Sequence, residues 1–213
     1  MRIAILLFDR MTALDAVGPY EVLRFVTDAE VVFTGKRVGA VRAGAGTLGL
    51  AVDRPLSDVP SADVVVVPGG PGQVDLMADT EVHEWLRQVD RTSSWTTSVC
   101  TGSLVLAAAG LLDGRKATSH WLALDQLPAF GVTPVEQRVV FDGKYVTAAG
   151  VSAGIDMALE LVNRVAGDVA AQAIQLGLEY DPRPPHDAGS PAKAPTEIVA
   201  NMRQNSRFFL QET

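Results

Sequence analysis

The residue best suited to take part in a reaction in this 213-residue chain is its single cysteine, Cys100. Residues 95–99 before it are typical of a short buried strand, and the Leu- and Ala-rich residues 101–109 after it favour a helix. A nucleophile at such a turn is presented at a sheet edge, and the helix N-terminus is expected to lower the thiol pKa. A lone cysteine is more often a small buried hydrophobe, but this context favours a catalytic thiol.

An acidic residue, Asp15, follows the first apolar run of the chain, residues 2–8. We expect Gly18-Pro19 to open a helix, with Asp15 just before it or in its first turn. Asp15 would then lie at the carboxyl edge of the first strand, where open α/β sheets bind ligands. The residue alone leaves two roles open, a helix N-cap and a proton donor or acceptor.

A glycine-rich loop, Pro68 to Gly72, directly follows the apolar run 63–67. Gly69 and Gly70 allow backbone N–H groups to approach a ligand closely, so the loop is a candidate oxyanion hole together with the N–H of Thr101. It lacks the Lys-Ser/Thr of a P-loop and the glycine spacing of a dinucleotide site. A simple tight turn remains the alternative interpretation.

One histidine, His120, is a further candidate for the site. It is predicted at the head of a helix over residues 117–127, followed by Trp121. His120 either assists the thiol or is a packed histidine with satisfied nitrogens, and the sequence leaves both roles open.

The elements that must position these residues alternate between strands and helices. Apolar runs predict buried strands over residues 2–8, 30–35, 63–67 and 95–99, and a hairpin is predicted around Asp142-Gly143-Lys144. Residues 40–52 indicate an irregular β excursion. Helical patterns cover residues 74–78, 81–91, 152–166, 168–179 and 196–210, with a Pro-rich loop over 181–195. This alternation predicts one α/β domain spanning residues 1–213.

Composition narrows the classes of function. A net charge of −7 disfavours nucleic acid as a partner, and no apolar run is long enough to span a bilayer. The apolar N-terminal run is too short for a signal peptide, so a cytoplasmic location is expected. One cysteine and three histidines without paired ligand spacing predict no metal site.

Five segments together resemble the ThiJ/PfpI superfamily, whose fold is similar to the glutaminase domain of class I amidotransferases. The resemblance spans nearly the whole chain and is closest to the members that hydrate isocyanides. The segments are residues 14–23 (LDAVGPYEVL), 67–72 (VPGGPG), 97–121 (TSVCTGSLVLAAAGLLDGRKATSHW), 153–156 (AGID) and 178–191 (LEYDPRPPHDAGSP). Many members have glutamate where Asp15 stands, whereas the isocyanide-hydrating members have aspartate.

The resemblance implies a flavodoxin-like, doubly wound sandwich with a mostly parallel central sheet, and a homodimer. It implies a small-molecule substrate, an isocyanide that is converted to an N-substituted formamide without cofactor or metal. By the same resemblance Cys100 is the nucleophile, Asp15 its acid/base partner and Thr101 an active-site neighbour. A cysteine thioimidate is the expected intermediate, and a buried Asp15 beside a thiolate is expected to have a raised pKa.

Two other functions stay open within this superfamily. One is glyoxalase or deglycase chemistry on small dicarbonyls, and the other is a non-enzymatic sensor or regulator domain in which Cys100 is oxidised reversibly. Some related regulators carry a C-terminal helix-turn-helix region. We expect no such region here, because the sequence ends at Thr213 and its acidity argues against DNA binding.

Overall fold

Strands and helices alternate along the chain in a computed structural model that describes residues 1–206. The strands are β1 (Arg2–Leu6), β2 (Glu30–Gly35), β3 (Gly39–Ala43), β4 (Leu48–Val52), β5 (Arg54–Pro55), β6 (Val64–Val67), β7 (Trp95–Val99), β8 (Lys116–Ala117), β9 (Thr133–Pro134), β10 (Val139–Asp142) and β11 (Tyr145–Ala148). The helices are α1 (Ala13–Leu23), α2 (Gln73–Leu76), α3 (Thr80–Asp90), α4 (Gly102–Ala108), α5 (Ala153–Ala166), α6 (Asp168–Gly177) and α7 (Thr196–Gln204).

Seven of these strands form the central sheet, in the order β10-β11-β7-β6-β1-β2-β5. Every neighbouring pair is parallel except β10 with β11, which form the predicted hairpin. All four residues of β6 are fully buried. Because successive side chains of a strand point to opposite faces, both faces of the sheet are covered. The mostly parallel α/β fold expected from the sequence is therefore confirmed.

The strand order reverses beside β1, and this reversal positions the site. From β1 the chain goes to β2 on one side, while β6, β7 and β11 follow on the other side. Parallel strands end at a common edge, so the segments that follow β1, β6, β7 and β11 converge there. These segments carry Asp15, the glycine-rich loop, Cys100 and residues 149–152.

Close backbone contact joins the ends of β6 and β7. A Cβ atom placed on Gly102 would lie 2.1 Å from the carbonyl oxygen of Val67, and one on Gly69 would lie 2.4 Å from the backbone nitrogen of Thr101. No side chain fits at either position without moving the backbone. Glycine at these two positions therefore sets the spacing of the loops that form the site.

The expected start of the first helix was wrong. Helix α1 begins at Ala13, after Thr12, and Pro19 lies inside it rather than at its start. Burial of Ala16, Pro19 and Leu23 in the core overrides the local preference of proline for a first turn.

His120 does not lie at the head of a helix. Residues 116–117 pair with β9, and a short 3₁₀ segment begins only at Leu124. The backbone N–H of Leu122 donates to Nδ1 of His120 over 3.2 Å. This local bond competes with helical hydrogen bonding and favours a turn at residues 121–123.

The remaining differences concern boundaries. The segment predicted as an irregular β excursion is a regular antiparallel hairpin of β3 and β4. Helix α7 ends at Gln204, and the predicted continuation over 207–210 lies outside the described residues. No helix among residues 1–206 is long and apolar enough to cross a membrane. A single domain over residues 1–213 stays a prediction.

We predict that Gly102→Ala destabilises the fold by about 3 kcal/mol, because the new methyl group must displace the backbone at Val67. Urea unfolding followed by circular dichroism measures the change. Gly189→Ala is the matched control, since a Cβ atom there meets nothing within 4 Å. Equal stability of the two variants would show that the close approach of the two loops does not require glycine at position 102.

Candidate active site

Cys100 occupies a strained turn between β7 and α4. Its φ angle of 59° lies in the left-handed region, which residues with a side chain seldom adopt. The Cys100 N–H donates to the carbonyl oxygens of Ala148 (3.1 Å) and Ala149 (2.9 Å), and its own carbonyl accepts from the hydroxyls of Ser103 (3.3 Å) and Ser119 (3.2 Å). These bonds hold the cysteine in a conformation that the isolated chain would avoid.

Asp15 lies against the thiol, in the first turn of α1. Its carboxyl group is fully buried, and its side chain is hydrogen-bonded with that of Cys100. Oδ2 accepts the backbone N–H of Gly69 over 2.9 Å, whereas Oδ1 has no partner among the described residues. The structure thus brings together a thiol and a carboxyl group that are far apart in sequence.

Burial governs the protonation of this pair. It raises the pKa of the Asp15 carboxyl to about 7, against the lowering effect of the Gly69 N–H, as expected from the sequence. Burial also raises the pKa of the Cys100 thiol to about 12, and the negative charge of Asp15 adds to this rise. The expected lowering of the thiol pKa was therefore wrong, because the loss of water outweighs the few donors that the short helix α4 offers.

Three donors face the sulfur atom and partly offset its burial. They are the backbone N–H groups of Val151 and Thr101 and the hydroxyl of Thr101, each of which lowers the thiol pKa. The Val151 contribution was missed in the sequence. Val151 has a φ angle of 30°, and the signal available beforehand was the run of small residues that follows β11, the parallel neighbour of β7.

The glycine-rich loop holds side chains rather than offering free donors. The N–H of Gly69 donates to Asp15, and the N–H of Gly70 donates to the hydroxyl of Thr101 over 2.9 Å. The Thr101 hydroxyl can then direct its own hydrogen toward the sulfur of Cys100. An oxyanion-hole role for the two loop glycines would require these bonds to open, so in this arrangement the loop orients the acid and the threonine.

The ring of His120 lies close to Gly150, the residue that precedes the Val151 donor. A Cβ atom on Gly150 would lie 2.9 Å from Cδ2 of the His120 ring. Burial lowers the pKa of His120, and its Nδ1 accepts an N–H, so the ring is neutral at pH 7. A direct role of His120 on the thiol stays a prediction.

The surroundings of the site are enclosed. Cys100 is fully buried, and a cavity of about 240 Å³ is lined by Trp121, Arg203 and four other residues but not by the cysteine. Within residues 1–206 no group of three or more His, Cys, Asp or Glu side chains is arranged to hold a metal ion.

A cysteine on a tight turn at the switch point of a flavodoxin-like sheet, with a carboxyl group from the first βα segment, defines a class of protein. The chain belongs to the DJ-1/PfpI family, whose model matches residues 1–164. Among individual proteins it is similar to an isonitrile hydratase of Pseudomonas putida, with 44% identity over 97% of this chain and 90% of that protein. The family expected from the sequence is confirmed.

Two further comparisons bear on fold and class. A crystal structure of a ThiJ/PfpI family protein from Pseudomonas syringae superimposes with a TM-score of 0.93 at 37% identity, covering 95% of this chain and 84% of that one. The HTH-type transcriptional regulator CdhR of Pseudomonas aeruginosa is 43% identical over 39% of this chain, which corresponds to 26% of its own length. Similarity to the hydratase thus extends over far more of both proteins than similarity to the regulator.

The raised pKa of Asp15 predicts how stability depends on pH. The carboxyl group of Asp15 has a pKa of 3.8 in the unfolded chain, whereas in the folded protein its pKa is about 7. The folded state therefore binds the extra proton in this window, and stability falls as pH rises through it. Between pH 5 and pH 8 this titration lowers the free energy of unfolding by about 3 kcal/mol.

Asp15→Asn should remove this component, so the difference in unfolding free energy between pH 5 and pH 8 should shrink by about 3 kcal/mol. Urea unfolding at both values measures it. Asp53→Asn, which changes an exposed carboxyl group, is the control. An unchanged pH dependence in Asp15→Asn would mean that the carboxyl group is ionised normally in the folded protein.

Proposed function

We propose that this protein is an isocyanide hydratase, which adds water to an isocyanide (isonitrile) and releases an N-substituted formamide. The observation that carries the proposal is the buried contact of Cys100 with Asp15. An isocyanide carbon must accept both a nucleophile and a proton, and this pair supplies both at one place. Similarity to the isonitrile hydratase over nearly the whole of both chains supports the assignment.

In the first step the thiol adds across the isocyanide carbon. The Asp15 carboxylate accepts the proton of Cys100, to which its side chain is hydrogen-bonded, and the sulfur attacks the carbon. Asp15 then delivers that proton to the same carbon, which gives a thioimidate. The donors from Val151 and Thr101 stabilise the thiolate while it forms.

In the second step water adds to the thioimidate carbon. Asp15, again a carboxylate, takes a proton from water and passes it to the nitrogen, which leaves a tetrahedral intermediate. Its hydroxyl proton goes to Asp15 as the carbon–sulfur bond breaks, and the formamide leaves. Asp15 returns this proton to the sulfur, so the thiol is restored. A carboxyl pKa of about 7 suits a group that must both accept and donate near neutral pH.

Cys100→Ala is predicted to abolish hydration of an aryl isocyanide, and Asp15→Asn to lower kcat by about 100-fold with KM changed far less. Loss of covalent attack and loss of proton transfer are the respective reasons. Product formamide is followed by chromatography, with Asp53→Asn as the matched control. An Asp15→Asn enzyme within a few-fold of wild type would remove Asp15 from the mechanism.

The same assay distinguishes a hydratase from the alternative, a glyoxalase-type enzyme. Wild type is incubated in parallel with methylglyoxal, the substrate expected for glyoxalase chemistry. Asp15→Glu adds a methylene that pushes the carboxyl group into space needed by the substrate, so isocyanide turnover should fall although an acid remains. Turnover of methylglyoxal without turnover of isocyanide would overturn the hydratase proposal.

We further propose that the protein is a homodimer. Helices α6 and α7 have no buried residue, and they expose large apolar side chains, among them Val169 (83% exposed), Leu176 (80%) and Ile198 (49%). Apolar faces of this kind are typical of association surfaces. A cytoplasmic location is also part of the proposal, because a catalytic thiol must stay reduced.

Light scattering is expected to give a mass of about twice the 22.6 kDa chain. Leu176→Glu should shift the protein to the single-chain mass, because a charge would be buried in the apolar interface. Val38→Glu is the control, since Val38 is 65% exposed and lies away from α6 and α7. A wild-type mass near 22.6 kDa at micromolar concentration would contradict the dimer.

A further inference from the structure

The turn over residues 149–152, which carries the Val151 donor, has a strained backbone. Val151 has a positive φ angle, and Ser152 is at the N-terminus of α5 without capping it through its side chain. A branched residue in this conformation is strained and persists only when surrounding contacts hold it. Something outside the turn must therefore keep the Val151 N–H directed at the sulfur of Cys100.

Arg138 spans this turn from one end to the other. Its backbone carbonyl accepts the N–H of Ala149 over 2.9 Å, so it fixes the start of the turn. Its guanidinium donates from Nη2 to the hydroxyl of Ser152 over 3.3 Å and from Nε to the carboxylate of Asp156 in the first turn of α5. One residue thus binds the turn before Val151 and the helix that begins after it.

A tyrosine from the C-terminal part of the chain completes the cluster. The hydroxyl of Tyr180 donates to Asp156 and accepts from Arg138. Tyr180 follows α6 and lies outside residues 1–164, the region that matches the family model. The cluster therefore connects a segment beyond the family core to the turn beside the thiol.

We propose that Arg138, Asp156 and Tyr180 are positioning residues that hold the 149–152 turn so that the Val151 N–H points at Cys100. They touch neither the thiol nor Asp15, and they act through the backbone of the turn. A planar guanidinium with several donors in fixed directions suits this task, because it can bind the hydroxyl of Ser152 and the Asp156 carboxylate at the same time.

Hydrogen exchange tests the proposal without relying on turnover. In Arg138→Met, exchange of the amides at 149–152 should be about tenfold faster than in wild type, whereas amides of β1 and β6 should keep their rates. Tyr180→Phe removes one hydroxyl and should accelerate exchange in the same residues by about threefold. Arg138→Lys keeps the charge but loses the planar guanidinium with its several donors. Its exchange rates should therefore lie between those of wild type and Arg138→Met.

Kinetics give the second readout. This part rests on the proposed hydratase function, and kcat for an aryl isocyanide should fall by about threefold to tenfold in Arg138→Met and Tyr180→Phe while KM stays within twofold. The controls are Tyr20→Phe, whose ring packs against Phe33 outside the cluster, and Arg37→Lys, an exposed residue. Both should match wild type.

The two readouts separate the possible failures. Exchange at 149–152 that matches the controls in both Arg138→Met and Tyr180→Phe would overturn the positioning role, whatever the activity. Faster exchange throughout the core would also overturn it, because that result indicates a general contribution to stability. If no isocyanide is turned over, exchange alone still decides the role of the cluster. If Arg138→Met does not fold, Tyr180→Phe provides the same test.

Discussion

The left-handed backbone of Cys100 is the constraint on which the rest of the site depends. This conformation is held by bonds to Ala148, Ala149 and two serine hydroxyls. Strain of this kind persists only where the surrounding structure is rigid. The all-parallel centre of the sheet, buried on both faces, supplies that rigidity.

Burial then decides the chemistry that the thiol can perform. With the pKa of Cys100 raised to about 12 and that of Asp15 to about 7, the resting pair has a protonated sulfur and a carboxyl group near its titration midpoint at neutral pH. Such a pair is able to move one proton between sulfur, carboxylate and substrate, as the proposed mechanism requires. A reaction that adds a nucleophile and a proton to one carbon matches this arrangement better than a reaction that needs a free thiolate.

The loops around the pair act mainly by holding it. Gly69 and Gly70 use their N–H groups to orient Asp15 and Thr101, and Gly102 permits the close approach of the loop to the cysteine turn. The 149–152 turn provides a further donor to the sulfur, the backbone N–H of Val151. Each of these elements follows a different strand, so the geometry of the site depends on the register of the whole sheet.

The sequence by itself determined the strands and the strand-to-helix turn at Cys100, because continuous apolar runs, glycine-rich turns and a lone cysteine are local signals. The pairing of Cys100 with Asp15 was expected only through the resemblance of five segments to a known family. That resemblance also permitted the raised pKa of Asp15 to be predicted. Only the tertiary structure decided the thiol pKa, the engagement of the Gly70 N–H and the donor from Val151. These depend on how much water is excluded and on which strands become neighbours, and strands β7 and β11 are brought together across about 45 residues of chain by long-range packing that no local pattern encodes.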